Sequence, residues 1–387
     1  MMRLLGRSRR ADESTAVNLI VSEAPDFDFL SEEYRSLFSR SSAAPFQSPL
    51  WLDRIYAELM SERCARRLII TIREAASHRL VGLIPLMVER YLGISVATFA
   101  DCGVSDYCVI VAATEDLSSF RNNAALKLQL RRTLRTCDLL IVRKVREPEL
   151  AAFDILGSVR RAPLGLGAHA TALFGSFEDW RVQVMTPRQR RSLDKKRRSI
   201  ERKGCLRTET IKDPDQIIAA LDQIQEFRKS RFKDTDKRNL LDEERYFRFY
   251  CDVAHDPMCR AYVMTLDDRP VSIAYGMARN GRFHLLLTGF DSVNHRNQSL
   301  GLLVIEDAIR DCISRGDDEF DLTIGDQSYK RQFGTVETSM WWILCHFGFV
   351  GRTLSFFLAR YPRPLALVRR FARLSGFRTD RAPRRAV

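Results

Sequence analysis

The segment Gln298-Ser299-Leu300-Gly301-Leu302 has the composition of a phosphate-binding turn. It stands between an apolar run, which predicts a strand, and an amphipathic run, which predicts a helix. A helix that begins at a small residue and a glycine presents unpaired backbone N–H groups and the positive end of its dipole. Both features stabilise a phosphate or pyrophosphate, so the sequence predicts an anion site here.

Three side chains that can transfer protons or bind anions follow the next predicted strand, at Asp326, Tyr329 and Lys330. A carboxylate, a phenol and an ammonium beside an anion-binding turn are typical of a reacting centre next to cofactor phosphates. Asp321 lies within the apolar strand itself, where we expect it to cap or to pair with Lys330 or Arg331. His284 is isolated on a strand, and we interpret it as structural.

The elements that position these groups form a meander followed by a helix and a further strand. The Asn280-Gly281 pair is the strongest hairpin signal in the chain. Two long amphipathic helices precede the meander, at residues 213–232 and 242–254. The predicted strands and helix of this half are Ala261–Leu266, Val271–Ala278, Phe283–Thr288, a helix ending at Ser314, and Phe320–Ile324.

The amino half shows a comparable order of elements, which raises an internal duplication as a hypothesis. Strands Arg67–Ile72 and Leu80–Val88 are predicted to form a hairpin. One long helix is predicted over Leu117–Arg135, and a short strand over Thr171–Phe174 ends this half. The fold class expected is therefore α/β (α+β), with mixed, mostly antiparallel sheets flanked by helices.

The chain is basic, and much of the excess charge lies in one predicted helix. Its 387 residues carry a formal net charge of +13 and a pI near 9.5. Pro187 and Gly204 mark the ends of a helix over residues 187–203 that is rich in arginine and lysine. So many like charges repel one another, which favours an anionic partner such as a nucleotide, a nucleic acid or a membrane surface.

The cysteines and the termini favour a cytoplasmic protein. Nine cysteines occur without a C-x-x-C pair, which argues against a disulfide framework and against a zinc site, so no metal is expected. No run of about 18 apolar residues predicts a membrane-spanning helix. The basic start lacks the apolar region of a signal peptide.

The order of elements around the turn resembles the acyl-CoA-dependent acetyltransferases of the GNAT superfamily. The segment from Gln298 to Leu303 resembles that superfamily's Q/R-x-x-G-x-G/A pyrophosphate turn, with Leu303 at a position where a small residue is common. The resemblance implies acetyl-CoA or another acyl-CoA as cosubstrate. It also implies that Gln298, Ser299, Leu300, Gly301 and Leu302 bind the cofactor.

Further segments resemble the BioF2-like or CelD (BcsL) group, which is associated with cellulose and other exopolysaccharide synthesis. The segments are Gly289-Phe290-Asp291, Phe320-Asp321, Gly325-Asp326, Tyr329-Lys330, Pro45 to Trp51, Ile84-Pro85-Leu86 and Asp106-Tyr107. This resemblance implies two tandem GNAT-like domains, the first of them degenerate. The boundaries expected are 1–16 for a mobile basic N-terminus, 17–180 and 181–350 for the two domains, and 351–387 for amphipathic basic C-terminal helices and a tail.

The resemblance also implies roles for individual residues. Tyr329 is the candidate acid for the departing thiolate, and Asp326 is the candidate base for the acceptor. Lys330 is expected to steady anionic charge. The residues expected to contact the acceptor are Asp106, Tyr107 and Asp291, although a strand-start turn explains the first two and loop ordering explains the third.

Three functions remain open at this stage. The first is acyl transfer to a sugar, nucleotide-sugar or lipid-linked precursor in polysaccharide or envelope biosynthesis. The second is aminoacyl-tRNA-dependent transfer of the FemABX kind, in which the basic helix would contact RNA; such proteins usually have a long helical arm that this sequence does not show. The third is a non-catalytic scaffold of a polysaccharide-synthase complex, with basic residues after 350 in peripheral contact with the inner face of an anionic membrane.

Overall fold

The computed structural model describes residues 18–60, 65–91, 93–232 and 239–358. The predicted basic N-terminus, residues 1–16, lies outside these ranges. So does most of the predicted C-terminal segment, from residue 359 onward.

One continuous sheet of thirteen strands forms the centre of the described structure. Its order is β1-β2-β3-β4-β6-β13-β7-β12-β11-β10-β9-β8, and the short β5 pairs with β3. The strands are β1 (Leu19–Glu23), β2 (Ala65–Glu74), β3 (Leu80–Tyr91), β4 (Ile94–Phe99), β5 (Val111–Ala112), β6 (Leu139–Arg146), β7 (Arg160–Ala172), β8 (Leu206–Ile211), β9 (Cys259–Leu266), β10 (Arg269–Arg279), β11 (Arg282–Phe290), β12 (Glu319–Ile324) and β13 (Val336–His346).

Ten α-helices and several shorter helical turns cover the two faces of this sheet in the described ranges. The α-helices are α1 (Glu32–Arg40), α2 (Pro49–Arg54), α3 (Thr114–Asn122), α4 (Ala124–Leu134), α5 (Phe177–Val184), α6 (Pro187–Glu201), α7 (Pro214–Phe232), α8 (Glu244–Val253), α9 (Leu300–Ser314) and α10 (Gly348–Leu358). A π-helical turn (Ile55–Leu59) continues α2, and 3-10 turns occur at Pro45–Gln47, Glu147–Leu156, Leu240–Asp242 and Lys330–Phe333. No helix in the described ranges combines the length and apolar character needed to cross a bilayer.

The two halves of the chain repeat one arrangement of strands. In the first half β4 pairs antiparallel with β3 and parallel with β6. In the second half β11 pairs antiparallel with β10 and parallel with β12. Each parallel contact spans only three residue pairs, so the two strands diverge beyond it. The prediction of two tandem, mostly antiparallel α/β units is confirmed.

The halves exchange strands, so the sheet does not divide where the sequence does. Strand β13, from the second half, lies between β6 and β7, and β7, from the first half, lies between β13 and β12. Strand β7 is also much longer than the predicted Thr171–Phe174. Its early residues, such as Arg160 and Gly165, lack the apolar alternation that marks a strand in sequence.

The faces of the second-half sheet have different coverings because side chains alternate along each strand. Phe283, Leu285 and Phe320 pack on α9 and α5. The adjacent His284 and Asp321 point to the opposite face, where α7 and α8 meet helices of the first half in a shared core.

Two predicted helices differ from those observed. The single helix Leu117–Arg135 is wrong, because the chain breaks at Asn123, whose side chain accepts the N–H of Leu126 and caps α4. The basic helix begins at Pro187 as predicted, with a capping box at Thr186, but it ends at Glu201 rather than at residue 203.

Candidate active site

The start of α9 has the geometry of an anion-binding turn. Ser299 adopts a left-handed conformation with φ of 55°, at a cost of about 1–2 kcal/mol for a residue that is not glycine. Leu300 and Gly301 are the first two residues of the helix, where N–H groups have no acceptor within the helix itself. The Leu300 side chain is fully buried, so it packs while its backbone stays available.

Glycine at position 301 lets the ring of Phe290 approach this turn. A Cβ atom there would lie 3.1 Å from Phe290 Cδ1, closer than ordinary contact. Any side chain at 301 would therefore displace the Phe290 ring or project into the space in front of the first N–H groups.

Helix α6 is fastened to α9 by buried ion pairs. The Arg197 guanidinium lies 2.6 Å from Asp307 Oδ1 and 3.3 Å from Glu306 Oε2. Arg181 Nε donates to Glu306 Oε1 at 2.7 Å, and the Glu306 side chain is only 1% exposed. Lys196 Nζ also donates to the carbonyl of Asn297, one residue before the predicted turn. The basic helix is therefore held beside the anion site.

The outward side of α6 carries a stripe of exposed cations. These five residues recur at helical spacing and all face solvent: Arg188, Arg191, Lys195, Arg198 and Arg202. The apolar residues Leu193 and Ile200 are buried on the other side. We call this set the α6 basic stripe.

A buried carboxylate joins the two halves at the middle of the sheet. Asp321 is 1% exposed and accepts the hydroxyl of Tyr107 at 2.8 and 2.9 Å and the N–H of Thr323 at 2.7 Å. His284 Nδ1 lies 3.2 Å from its Oδ2. Burial by itself would raise the pKa of Asp321, but contact with His284, Thr323 and Tyr107 holds that pKa below its usual range.

Lys330 is buried at the carboxyl end of β12. Its ammonium donates to the carbonyls of Thr323 and Ile324 at 2.9 and 3.0 Å, and the residue is 2% exposed. Burial lowers the pKa of Lys330 to about 8, against the opposing charges of Asp106 and Asp321. Since an ammonium has three N–H groups, one remains after these two bonds.

The first half supplies Asp106 to the same centre. Burial raises the pKa of the Asp106 carboxyl, and the positive charge of Lys144 opposes that rise. Lys144 Nζ donates to Ser105 O at 2.7 Å and lies 3.0 Å from Asp101 Oδ2, which holds this loop in place. A carboxyl with a raised pKa beside an ammonium with a lowered pKa is an arrangement suited to proton transfer.

Three other predicted site residues, Asp326, Tyr329 and Asp291, make their described contacts outside this centre. Asp326 is half exposed and contacts Gly167 N at 3.3 Å and His169 Nε2 at 3.4 Å. Tyr329 is half-buried against the core beneath α9. The carboxylate of Asp291 accepts from Val293 and Asn294 in its own loop, as the loop-ordering interpretation predicts.

One interpretation from the sequence needs correction, and one residue of this centre was missed. Asp321 meets Tyr107 and His284 rather than Lys330 or Arg331, because alternation points it to the face occupied by the first half. Lys144 was not predicted to take part. The one signal available was an aspartate inside an apolar strand, which indicates a buried charge but not the partner, 214 residues away.

The equivalent helix of the first half has no free turn of this kind. The side chain of Asn123 accepts the N–H of Leu126 at 2.9 Å and so caps α4. The open N–H groups at the start of α9 and Lys330 thus belong to the second half, and Asp106 comes from the first.

Comparisons with known proteins agree with this geometry. Residues 187–331 match the family described as "Acetyltransferase (GNAT) domain". FemX is 10% identical, with 83% of this chain and 96% of that chain covered and a TM-score of 0.57. A conserved protein of unknown function from Bacteroides thetaiotaomicron is also 10% identical, with 84% and 100% covered and a TM-score of 0.53.

L-PGS from Bacillus licheniformis is 12% identical, with 85% of this chain and 97% of that chain covered and a TM-score of 0.50. At such identities these structures share the fold with the chain. A sequence search among curated proteins found no match. The fold is thus of the GNAT type, and the second half of the chain contains a GNAT acetyltransferase domain.

Replacing Tyr107 by phenylalanine should destabilise the protein, because Asp321 loses a donor that it cannot replace from solvent. A hydrogen bond to a charged group contributes about 1.5–3 kcal/mol. The matched control is Tyr56→Phe, which removes an equally buried hydroxyl that donates to the neutral carbonyl of Leu86 at 2.8 Å. We expect a smaller loss there, about 0.5–1.5 kcal/mol, by urea unfolding. Equal losses in the two variants would contradict the charged state of Asp321.

Proposed function

We propose that this protein is an acyl-CoA-dependent N- or O-acyltransferase that transfers an acetyl group. The observation that carries the proposal is the open first turn of α9, at the same edge of the sheet as Lys330. Strands β11 and β12 run parallel, so the turn that follows β11 and the lysine that follows β12 lie at that edge. The cofactor pyrophosphate would meet the backbone N–H groups of residues 299–301.

The chemistry follows from the buried pair. The acceptor nitrogen or oxygen attacks the thioester carbonyl carbon, a new bond to carbon forms, and the C–S bond breaks. Asp106 takes the proton from the attacking atom, and Lys330 gives a proton to the departing thiolate. Transfer of the proton from Asp106 to Lys330 restores both groups.

Other roles expected from the sequence stay predictions. These are Tyr329 as acid and Asp326 as base, and contact of Asp291 with the acceptor. The buried environment of Lys330 and Asp106 favours them for the two protons. The resemblance to the BioF2-like group is what supports a sugar, nucleotide-sugar or lipid-linked acceptor and a role in cellulose or exopolysaccharide synthesis. Contact of the C-terminal segment with a membrane rests on its basic residues.

Acetyl-CoA should bind the purified protein, and Gly301→Glu should abolish that binding. The glutamate would place bulk and negative charge in front of the first N–H groups of α9. Isothermal titration calorimetry measures the effect. Ser314→Glu, at the exposed far end of the same helix, is the control and should leave the affinity unchanged. Retained affinity in Gly301→Glu would show that the pyrophosphate lies elsewhere.

The rate of acyl transfer should fall as the pH rises through about 8, because Lys330 donates a proton only in its charged form and its pKa is about 8. Lys330→Arg keeps a positive charge that does not dissociate in this range. We expect a lower kcat in that variant and no descending limb near pH 8. The measurement is the pH profile of kcat from thiol release, and a limb unchanged in Lys330→Arg would remove Lys330 from this role.

The α6 basic stripe favours a second candidate, transfer from a donor carried on tRNA. Five exposed cations on a rigid helix beside the anion turn form a surface suited to phosphate groups in a row. Such binding would weaken steeply with salt because each neutralised phosphate releases a counterion.

Salt-dependent binding of tRNA, measured by filter binding, would support this second candidate. The triple variant Arg191→Glu, Lys195→Glu, Arg198→Glu should then lose binding and reduce the slope against salt. The control variant makes the same change of charge in the other half of the chain. It replaces the exposed residues Arg121, Arg132 and Arg135, on α3 and α4, by glutamate. If both triple variants lose tRNA binding equally, the tRNA is attracted to the net charge of the protein rather than to the α6 basic stripe.

A further inference from the structure

Strand β8 is an open edge of the sheet. It stands last in the order of strands, and β9 is its single strand neighbour in the described ranges. The opposite edge, β1, is closed by α4, where the Gln129 side chain accepts the N–H of Val21 at 3.0 Å and donates to the carbonyl of Leu19 at 2.8 Å. Among the described residues, no side chain makes such bonds to the backbone of β8. An open edge can pair with a further strand, which is why proteins usually cover it.

Every second residue of β8 presents its backbone at this open edge. The N–H of Asp267 donates to the carbonyl of Cys205 at 3.0 Å, and these two residues extend the pairing of β8 with β9 by one step. In an antiparallel pair, residues that bond directly to the partner strand alternate with residues whose N–H and C=O groups point away from it. Counting from Cys205, the residues that point away are Leu206, Thr208 and Thr210.

Two exposed side chains of β8 carry opposite charges. Arg207 and Glu209 are two positions apart, so they lie on the same face of the strand. On β9 they lie opposite Thr265 and Val263, which are uncharged. Neither makes an ion pair or a side-chain hydrogen bond among the described residues. Edge charges that only repel other chains need a single sign, whereas two opposite signs can also attract a strand with the reverse order of charges.

We propose that β8 pairs antiparallel with β8 of a second copy of this chain, about a two-fold axis at Thr208, and so joins two sheets into one. In this register Arg207 faces Glu209 of the second copy, and Glu209 faces its Arg207, so both charges gain a partner. Thr208 faces its counterpart, and Leu206 faces Thr210. All the residues with open backbone groups then fall in directly bonded pairs, each of which exchanges both of its N–H···O bonds.

Other registers of the same two strands are less favourable. A two-fold axis at Arg207 or at Glu209 would place two like charges directly opposite each other, which destabilises a strand pair. An axis at Leu206 or at Thr210 would leave the far end of each strand without a partner, because β8 extends only from Leu206 to Ile211. The order of charges therefore selects one register, in which the strand is complementary to itself.

The side of β8 that carries α9 has open space for the added strand. A groove of about 440 Å³ lies there, lined by Thr208 and Thr210 of β8 and by Arg310 and Ser314 of α9, among others. Residues directly opposite each other in a strand pair point to the same face of the sheet. The Leu206 and Thr208 side chains of the second copy would therefore point toward the side of this groove.

Analytical ultracentrifugation of the full chain over a concentration series tests the dimer. Salt at about 0.15 M screens charges that are more than about 8 Å apart, so it limits the repulsion between two chains of net charge +13. We expect a sedimentation coefficient that rises with concentration from that of the monomer to that of the dimer. A chain that stays monomeric at roughly 100 μM would overturn the proposal.

Reversing the charges tests the interface and its register. Arg207→Glu and Glu209→Arg should each raise the Kd of the dimer roughly tenfold or more, since either change places like charges opposite each other across the axis. The two variants alter the net charge in opposite directions, so an effect of net charge would weaken one dimer and strengthen the other. The double variant Arg207→Glu, Glu209→Arg restores opposite charges and should restore the original Kd. A Kd that neither single change raises, or a double variant as weak as the single ones, would refute this interface.

Thr210→Pro tests the backbone pairing separately from the charges. Proline has no N–H, and the N–H of Thr210 points away from β9, so the chain's own sheet keeps its hydrogen bonds. Thr210→Val keeps the N–H and is the matched control. We expect the proline variant to lose the dimer and the valine variant to keep it, while circular dichroism shows both to be folded. Equal dimerisation of the two variants would show that the edge of β8 is not the contact.

Discussion

The buried charge of Asp321 sets a constraint on which the joining of the two halves depends. Moving a carboxylate out of water costs on the order of several kcal/mol unless hydrogen-bond donors replace its hydration. Its described donors are the Thr323 N–H from the second half and the Tyr107 hydroxyl from the first, and His284 Nδ1 of the second half lies 3.2 Å from its Oδ2. Either half alone would leave this charge poorly satisfied. The interaction therefore fixes the loop at residues 101–107 against the end of β12, where the proton-transfer pair lies.

The exchange of strands between the two halves also holds them together, over a longer distance than the contacts of Asp321. Because β13 lies between two strands of the first half and β7 between two strands of the second, the backbone hydrogen bonds of one sheet continue through the boundary. Lys330 and Asp106 are thus held close enough for the charge of each to shift the pKa of the other. A rigid support keeps a buried pair in place, and burial is what brings the pKa of a lysine down and that of an aspartate up, toward values useful for proton transfer.

The two faces of the second-half sheet carry different side chains and different charges. One face carries α9, whose first N–H groups are open, and α6, whose Arg197 is paired with Glu306 and Asp307 while its outer cations remain exposed. The opposite face carries a groove lined by Ala168, Ala170 and Ala172 of β7 and by the carboxylates Glu149, Glu319 and Asp321.

Local patterns in the sequence determined the meander, the turn before α9 and the start of the basic helix at Pro187, because hairpin residues, a helix-starting proline and apolar periodicity act over a few neighbours. The order of the motifs, through its resemblance to a known family, also singled out Asp106, Tyr107 and Lys330 as candidate site residues. Only the tertiary structure decided that Tyr107 bonds to Asp321, that Lys144 supports Asp106, and that β7 and β13 each insert between strands of the other half. These outcomes depend on long-range strand pairing and on the cost of burying a charge, and neither leaves a signal in the residues adjacent in sequence.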